Sequence, residues 1–428
     1  MSMSVAGIVL IVVMLFCIIV GIPISWSLLL ASAASLLVDG SALSILSQRL
    51  FTSMDSFSML AVPLFLVAGD IMAQGSISRR LVNFADSIFG SIRGGLAIVL
   101  LVSCAIFAAL TGSALATTAA IGAIMYPAMT ERKYPKDYTT ALLAIGGTLG
   151  PIIPPSIVFI FYAQSSNLSV MKLFMSGVLP GILCCVLWSI YALFVAEKEK
   201  MPKEGSFSLA RVWKTFVEAI LALLMPIIIL GGIYLGVFTA TEAAAVAVVY
   251  GLLVSVIIYR DIKPRELLPM FKNTAKSTAN LMILIASANV FGYLVAYYGI
   301  TTAMTNIVTH LAPNAVIFMI LVGILLIICG MFIDSNAAIL LFVPLLTPIA
   351  DAYGIDQVQM AGIILVNLCM GAISPPFCVN VFVTTKLKKT QYVEVIHYIW
   401  PFLGSCVLVL ILMMFIPGLS TWLPTALR

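Results

Sequence analysis

The sequence predicts an all-α polytopic membrane protein made of two related halves, each holding a re-entrant helical hairpin and a broken helix. Three observations predict it. Hydrophobic residues make up 62% of the chain and charged residues 9%, against roughly 25% charged in a soluble domain, so too few polar side chains exist to cover a water-facing surface. Apolar stretches follow one another nearly end to end over the 428 residues. The landmarks of one region recur 221 residues later: Pro154-Pro155 falls on Pro375-Pro376, Pro127 on Pro348, Ser113 on Asp334 and Gly150 on Gly371.

A membrane-crossing helix needs about 20 apolar residues. The stretches 5–37, 57–74, 94–111, 170–196, 215–237, 241–259, 278–298, 314–333 and 398–418 meet that length. The run 5–37 lacks a basic start and is too long for a signal peptide; it reads as one retained segment bent near Gly21 and Pro23. Shorter apolar pieces at 114–130, 137–150, 152–165, 335–350, 357–373 and 377–385 are interrupted by Gly, Pro or polar residues. Non-helical backbone at membrane depth survives only where protein or a water-filled cavity covers it, so these pieces read as hairpins and broken helices. Ser78–Arg93 and Thr301–Ala312 mix charged or polar residues with apolar ones and fit helices lying at the interface.

The organisation that follows is a first half, 1–197, with an arm helix at 78–93, a hairpin at 113–150 and a broken helix at 146–165. A basic linker follows at 198–214. The second half, 215–428, has its arm at 301–312, its hairpin at 334–373 and its broken helix at 367–385. Basic residues of the linker and of a second loop, Arg260 to Lys272, prefer the cytoplasm. The net charge of +5 is too small and scattered to argue for nucleic acid. Eight cysteines in apolar segments read as small buried hydrophobes, and two histidines argue against a His-based metal site. No P-loop, HExxH or Gly-x-Gly-Asp is present, so the common motifs for ATP hydrolysis and intramembrane proteolysis are missing.

Paired interrupted segments at matching positions are the best sequence pointer to a transporter binding site. The first, Gly146–Ser156, holds three glycines and three prolines in eleven residues. Proline removes a backbone donor and glycine leaves the helix cheaply, so carbonyls and N–H groups are freed beside the Thr148 and Ser156 hydroxyls. The second, Asn367–Asn380, adds Asn367, Ser374 and Asn380 around Gly371. A polar cluster precedes each hairpin: Thr111–Thr117, with Ser103 earlier, and Asp334-Ser335-Asn336. A membrane carboxylate costs roughly 2.5–3.5 kcal/mol, so Asp334 fits a cation or proton partner, a helix cap, or both at once. Asp70 fits an interfacial or capping role, and Glu242 fits a first-turn acid behind a Thr239 or Thr241 cap.

These residues resemble the large membrane subunit of tripartite ATP-independent periplasmic (TRAP) transporters. The carriers of the resemblance are Gly147-Thr-Leu-Gly-Pro-Ile-Ile-Pro-Pro-Ser156, Phe238-Thr-Ala-Thr-Glu-Ala-Ala-Ala245, Gly112-Ser-x-x-Ala-Thr117 and Ala119-Ala-Ile-Gly122. The likeness spans essentially the whole chain and is nearest overall to the sialic-acid branch. Pro151, Ala240, Ser374 and Cys378 depart from the family's usual residues.

The resemblance implies inverted repeats, an elevator-type motion and sodium-driven import of an organic acid, a sialic acid or C4-dicarboxylate, with no organic cofactor. It also implies a multi-pass protein of the bacterial inner membrane, working with a small four-helix membrane subunit and a periplasmic substrate-binding protein. Carried onto this chain, the sodium set is Ser103, Gly112, Ser113, Thr148, Gly150, Ile152, Asp334, Asn336, Asn367, Gly371 and Ser374. The substrate set is Ser113, Thr117, Pro155, Ser156, Asp334, Pro376 and Asn380, and no transition metal is expected. The alternative is a stand-alone sodium- or proton-coupled carboxylate carrier. An intramembrane enzyme or a non-transporting scaffold belongs to a different class.

Overall fold

The computed structural model describes residues 4–203, 206–376, 378–388 and 390–427; Glu204 and Gly205 of the linker and Phe377 of the second break lie outside the described residues. Among the described residues every regular element is a helix. The first half runs α1 (Val5–Ile19), α2 (Ile24–Asp39), α3 (Ser44–Met54), α4 (Ala61–Gln74), α5 (Ile77–Phe89), α6 (Gly95–Thr111), α7 (Ala114–Glu131), α8 (Lys136–Gly147), α9 (Leu149–Ile152), α10 (Ile157–Ser166) and α11 (Val170–Lys198). The second runs α12 (Leu209–Tyr234), α13 (Ala240–Leu252), α14 (Pro264–Tyr297), α15 (Ile300–Leu311), α16 (Ala315–Phe332), α17 (Ser335–Ala352), α18 (Gln357–Gly371), α19 (Val379–Lys388), α20 (Tyr392–Phe415) and α21 (Gly418–Ala426). Among the described residues eight helices are long and apolar enough to cross a membrane, nine if the bent pair Lys136–Ile152 and Ile157–Ser166 is one span.

The repeat seen in the landmarks is also a repeat of elements. Helices α6, α7, α8, α10 and α11 each begin within one residue of 221 positions before α16, α17, α18, α19 and α20. The Pro154-Pro155 and Pro375-Pro376 peptide bonds are both cis. Each broken helix packs on the other half's hairpin: α10 lies on α17 and α19 on α8.

Two helices sit at the centre. Every residue of α8 from Tyr138 to Gly147 is buried, as is every residue of α18 from Gln359 to Gly371. A helix apolar all round must be surrounded by protein, and the hairpins supply that position. The peripheral helices differ: Ile227 of α12 is 64% exposed and Val249 of α13 also 64%, as expected for faces solvated by lipid tails.

Four expectations change. The run 5–37 is a hairpin, not one bent segment: Gly21 takes a positive φ of 87°, and α1 and α2 pack on each other. The linker shrinks because α12 begins at Leu209, where Ser208 accepts a hydrogen bond from the Arg211 N–H. The second basic loop also shrinks, since Arg265 and Lys272 lie inside the long α14. Asp70 is not a cap: it lies within α4 and accepts a hydrogen bond from the Thr274 hydroxyl of α14. Glu242 sits as expected, in a capping box with Thr239.

Candidate functional site

The site grows from the two hairpin starts. Helix α6 ends at Thr111, and Gly112 turns the chain with a positive φ of 61°. Ser113 then caps α7, its Oγ accepting from the Ala116 N–H at 3.4 Å. In the second half Ile333 is extended and Asp334 caps α17. The Asp334 carboxylate accepts from the Asn336 backbone N–H at 3.0 Å and from its side-chain amide at 2.8 Å. A third helix start comes from the first break, where Ser156 Oγ accepts from the Phe159 N–H at 3.4 Å to cap α10.

Two glycines lock these pieces together. A Cβ on Gly112 would lie 2.3 Å from the Pro155 carbonyl oxygen, and one on Gly150 would lie 2.5 Å from the Ser113 carbonyl oxygen. Both contacts are to backbone, which cannot swing away. The first hairpin start therefore rests on both sides of the first break.

The result is one cavity of about 110 Å³. Gly112, Ser113, Ala114 and Leu115 line one wall, Pro151, Ile157 and Val158 a second, and Asp334, Ser335 and Asn336 a third; Leu66 of α4 and Leu281 of α14 close it. Helix starts expose backbone N–H groups and the positive end of the dipole, which favour an anion. Asp334 brings a negative charge to the same space. Among the described residues the Asn336 Oδ1 is buried without a hydrogen-bond partner, so a carboxylate and an amide oxygen offer ligands of the kind a hard cation takes. Helix starts suited to an anion and oxygens suited to a small cation therefore line the same cavity.

Of the residues singled out from sequence, the cavity gathers Gly112, Ser113, Asp334 and Asn336, with Gly150, Pro155 and Ser156 in the backbone that supports it. The others lie elsewhere. The Thr117 hydroxyl pairs with that of Thr111 at 3.1 Å, and Thr148 donates to the Ile145 carbonyl at 2.6 Å. The Ile152 carbonyl faces Gly177 of α11. Among the described residues Ser103 is fully buried with its Oγ unpartnered, and Asn367 is fully buried with both amide atoms unpartnered beside Gly323. Gly371 packs on Gly330, and Ser374 donates to the Met370 carbonyl at 2.8 Å. Asn380 donates to the Ala144 carbonyl of α8 at 3.1 Å, while Pro376 is exposed and its carbonyl accepts from the Tyr392 hydroxyl. Sequence reasoning missed Leu66, Leu281, Ile157 and Val158. They are ordinary apolar residues in apolar helices, and nothing local marks them.

The fold and this cavity define a polytopic helical permease whose paired hairpins enclose a polar centre. Residues 11–419 match the family described as tripartite ATP-independent periplasmic transporter, DctM component. The chain belongs to that family, is a permease rather than an enzyme, and is a multi-pass protein of the bacterial inner membrane. It is 38% identical over 379 residues to the C4-dicarboxylate TRAP transporter large permease protein DctM of Pseudomonas aeruginosa, covering 89% of each chain. It is 32% identical to the sialic acid TRAP transporter large permease protein SiaM of Vibrio cholerae, covering 94% of this chain and 95% of the relative. Among solved structures it is similar in fold to the Alcanivorax borkumensis YdaH transporter, with a TM-score of 0.65 at 15% identity over 98% of this chain and 100% of that one. The sialic-acid branch is thus one of several that the chain is similar to.

Proposed function

We propose that the chain is the transport subunit of a sodium-coupled importer of an organic acid, of the sialic acid or C4-dicarboxylate class. In this reading it works with a small membrane subunit and a periplasmic substrate-binding protein. The observation that carries it is the meeting of the α7, α10 and α17 starts with the Asp334 and Asn336 oxygens at one cavity. The relatives named for C4-dicarboxylate and for sialic acid share one substrate feature, a carboxylate, and that shared class is what transfers.

In the mechanism the helix starts and the Ser113 hydroxyl orient the substrate carboxylate. Asp334 and Asn336 hold sodium beside it, and the buried, unpartnered oxygens of Ser103 and Asn367 suit further sodium ions. Two sodium ions supply the two positive charges that cancel Asp334 and one substrate carboxylate together. With sodium and substrate both bound, the cavity is neutral enough to cross the apolar interior. With one bound, it carries an uncompensated charge that costs several kcal/mol at membrane depth. That difference couples the two fluxes, since a ligand shifts a two-state equilibrium only by its differential binding. The two related halves, taken as inverted repeats, and the burial of α8 and α18 at the centre suit an elevator motion in which the hairpins move as a unit.

The test is uptake of labelled organic acids into proteoliposomes holding the chain with its two partners. Uptake is expected to require an inward sodium gradient. Equal uptake without the gradient overturns the coupling, and full activity of the chain alone favours a stand-alone carrier.

A further inference from the structure

A second polar hollow, of about 170 Å³, lies on the far side of the fold from the basic connections. It is lined by Arg49, Thr52 and Ser53 of α3 and by Asn289 of α14. Its depth follows from α14. That helix begins just after Arg260 and Lys263, and Asn289 lies 25 residues past Pro264, about 38 Å along the axis at about 1.5 Å per residue. The far end is marked by the Tyr298 hydroxyl, which donates to the Ser35 carbonyl at 3.4 Å. Leu281, in the wall of the central cavity, precedes Asn289 by eight residues on the same helix, or about 12 Å.

The chemistry is that of an oxyanion site. The Arg49 guanidinium lies 3.7 Å above the Tyr293 ring, which itself stacks on Tyr297 at 5.9 Å. This shelf holds the guanidinium plane and leaves its edges open. Among the described residues Arg49 makes no ion pair and no hydrogen bond. The Asn289 amide spends one hydrogen on the Ile285 carbonyl at 3.0 Å and keeps the other. The Thr52 and Ser53 hydroxyls donate to the Gln48 and Leu50 carbonyls, so the donors left for an anion are Arg49 and Asn289. A guanidinium fork beside an amide N–H suits a carboxylate held in two-point fashion. The same far side carries the carboxylates of Asp39, Glu242 and Asp351 at helix ends, which repel an approaching anion. An unpaired cation on the route inward offsets that repulsion.

We infer that this hollow is a capture subsite for the carboxylate of an organic acid, taken up there before it moves inward along α14 to the cavity at Ser113 and Asp334. The inference rests on the organic-acid reading above. The test measures concentration-dependent uptake of the acid by the complete three-part system, at fixed sodium gradient and varied choline chloride, for the wild type, Arg49→Gln and Arg49→Lys. Thermal unfolding of each protein is followed in zwitterionic and in anionic lipid.

Arg49→Gln is expected to raise KM about tenfold, the loss of one charge-assisted contact, with the maximal rate unchanged. A rise of KM with choline chloride is expected for the wild type and should disappear in this variant. Arg49→Lys, which keeps the charge and loses the fork, falls between the two. An unchanged KM in Arg49→Gln overturns the inference. So does a loss of stability in Arg49→Gln that appears only in anionic lipid with KM unaltered, which assigns Arg49 to a lipid phosphate. If the wild type takes up no organic acid, the functional reading falls and this subsite with it. Wild-type uptake with an insensitive variant removes the subsite alone.

Discussion

The two hairpin starts occupy matching positions and do different work. Ser113 and Asp334 are both helix caps, 221 residues apart. One brings a neutral hydroxyl and the other a carboxylate. Their neighbours diverge in the same way. Gly112 takes a left-handed turn against the first break, whereas its counterpart Ile333 is extended. Leu115 gives the cavity an apolar wall, whereas its counterpart Asn336 brings an unpartnered amide oxygen. The breaks differ too: the first contributes Pro151, Ile157 and Val158 to the cavity, while Ser374, Pro376 and Asn380 of the second point their polar groups at protein partners. A repeated fold thus supplies two equivalent frames. In the proposed reading, divergence at a few positions makes one frame the donor side for an anion and the other the acceptor side for a cation.

The largest effect expected from breaking this contrast is at Gly112. Gly112→Ala forces a Cβ into the Pro155 carbonyl and adds about 1–2 kcal/mol of left-handed strain, so uptake is expected to vanish and thermal stability to fall. The matching change Ile333→Ala meets no such demand and should keep most uptake. Next comes Asp334→Ala. Losing one charged contact is worth about 1.5–3 kcal/mol, so half-saturating sodium in transport assays should rise about 10- to 150-fold. Ser113→Ala removes a neutral cap and one hydroxyl, about 1 kcal/mol; the KM for the acid should rise about fivefold while sodium dependence stays. The smallest effect is at the second break. Asn380→Ala deletes the bond to Ala144, about 1 kcal/mol, and should lower the unfolding temperature slightly while leaving the KM unchanged.

Much of the frame was legible because proline and glycine act locally. The doubled Pro-Pro, the Gly-rich run before it and the polar residues ahead of each hairpin are backbone signals, and they mark the breaks and hairpin starts that the structure displays. Other features carry no local signature. One long apolar run and two packed helices look alike in composition, so the α1–α2 hairpin could not be read from 5–37. Asp70 looks like a helix-end acid because its partner, Thr274, is 204 positions away. Leu66 and Leu281 wall the cavity only because α4 and α14 happen to pass it. Thr148 and Ser374 had the right chemistry for a site, but each hydroxyl bonds to a carbonyl in its own turn, a local competition common for such residues.

The central claim is that the cavity between the hairpin starts binds sodium and a carboxylate together, with Asp334 on the cation side. The most direct measurement is calorimetric binding of an organic acid to the purified wild-type complex and to Asp334→Asn, each with and without sodium. The account predicts that sodium strongly tightens acid binding in the wild type and that Asp334→Asn loses this dependence. An equal sodium dependence in the two proteins would contradict it.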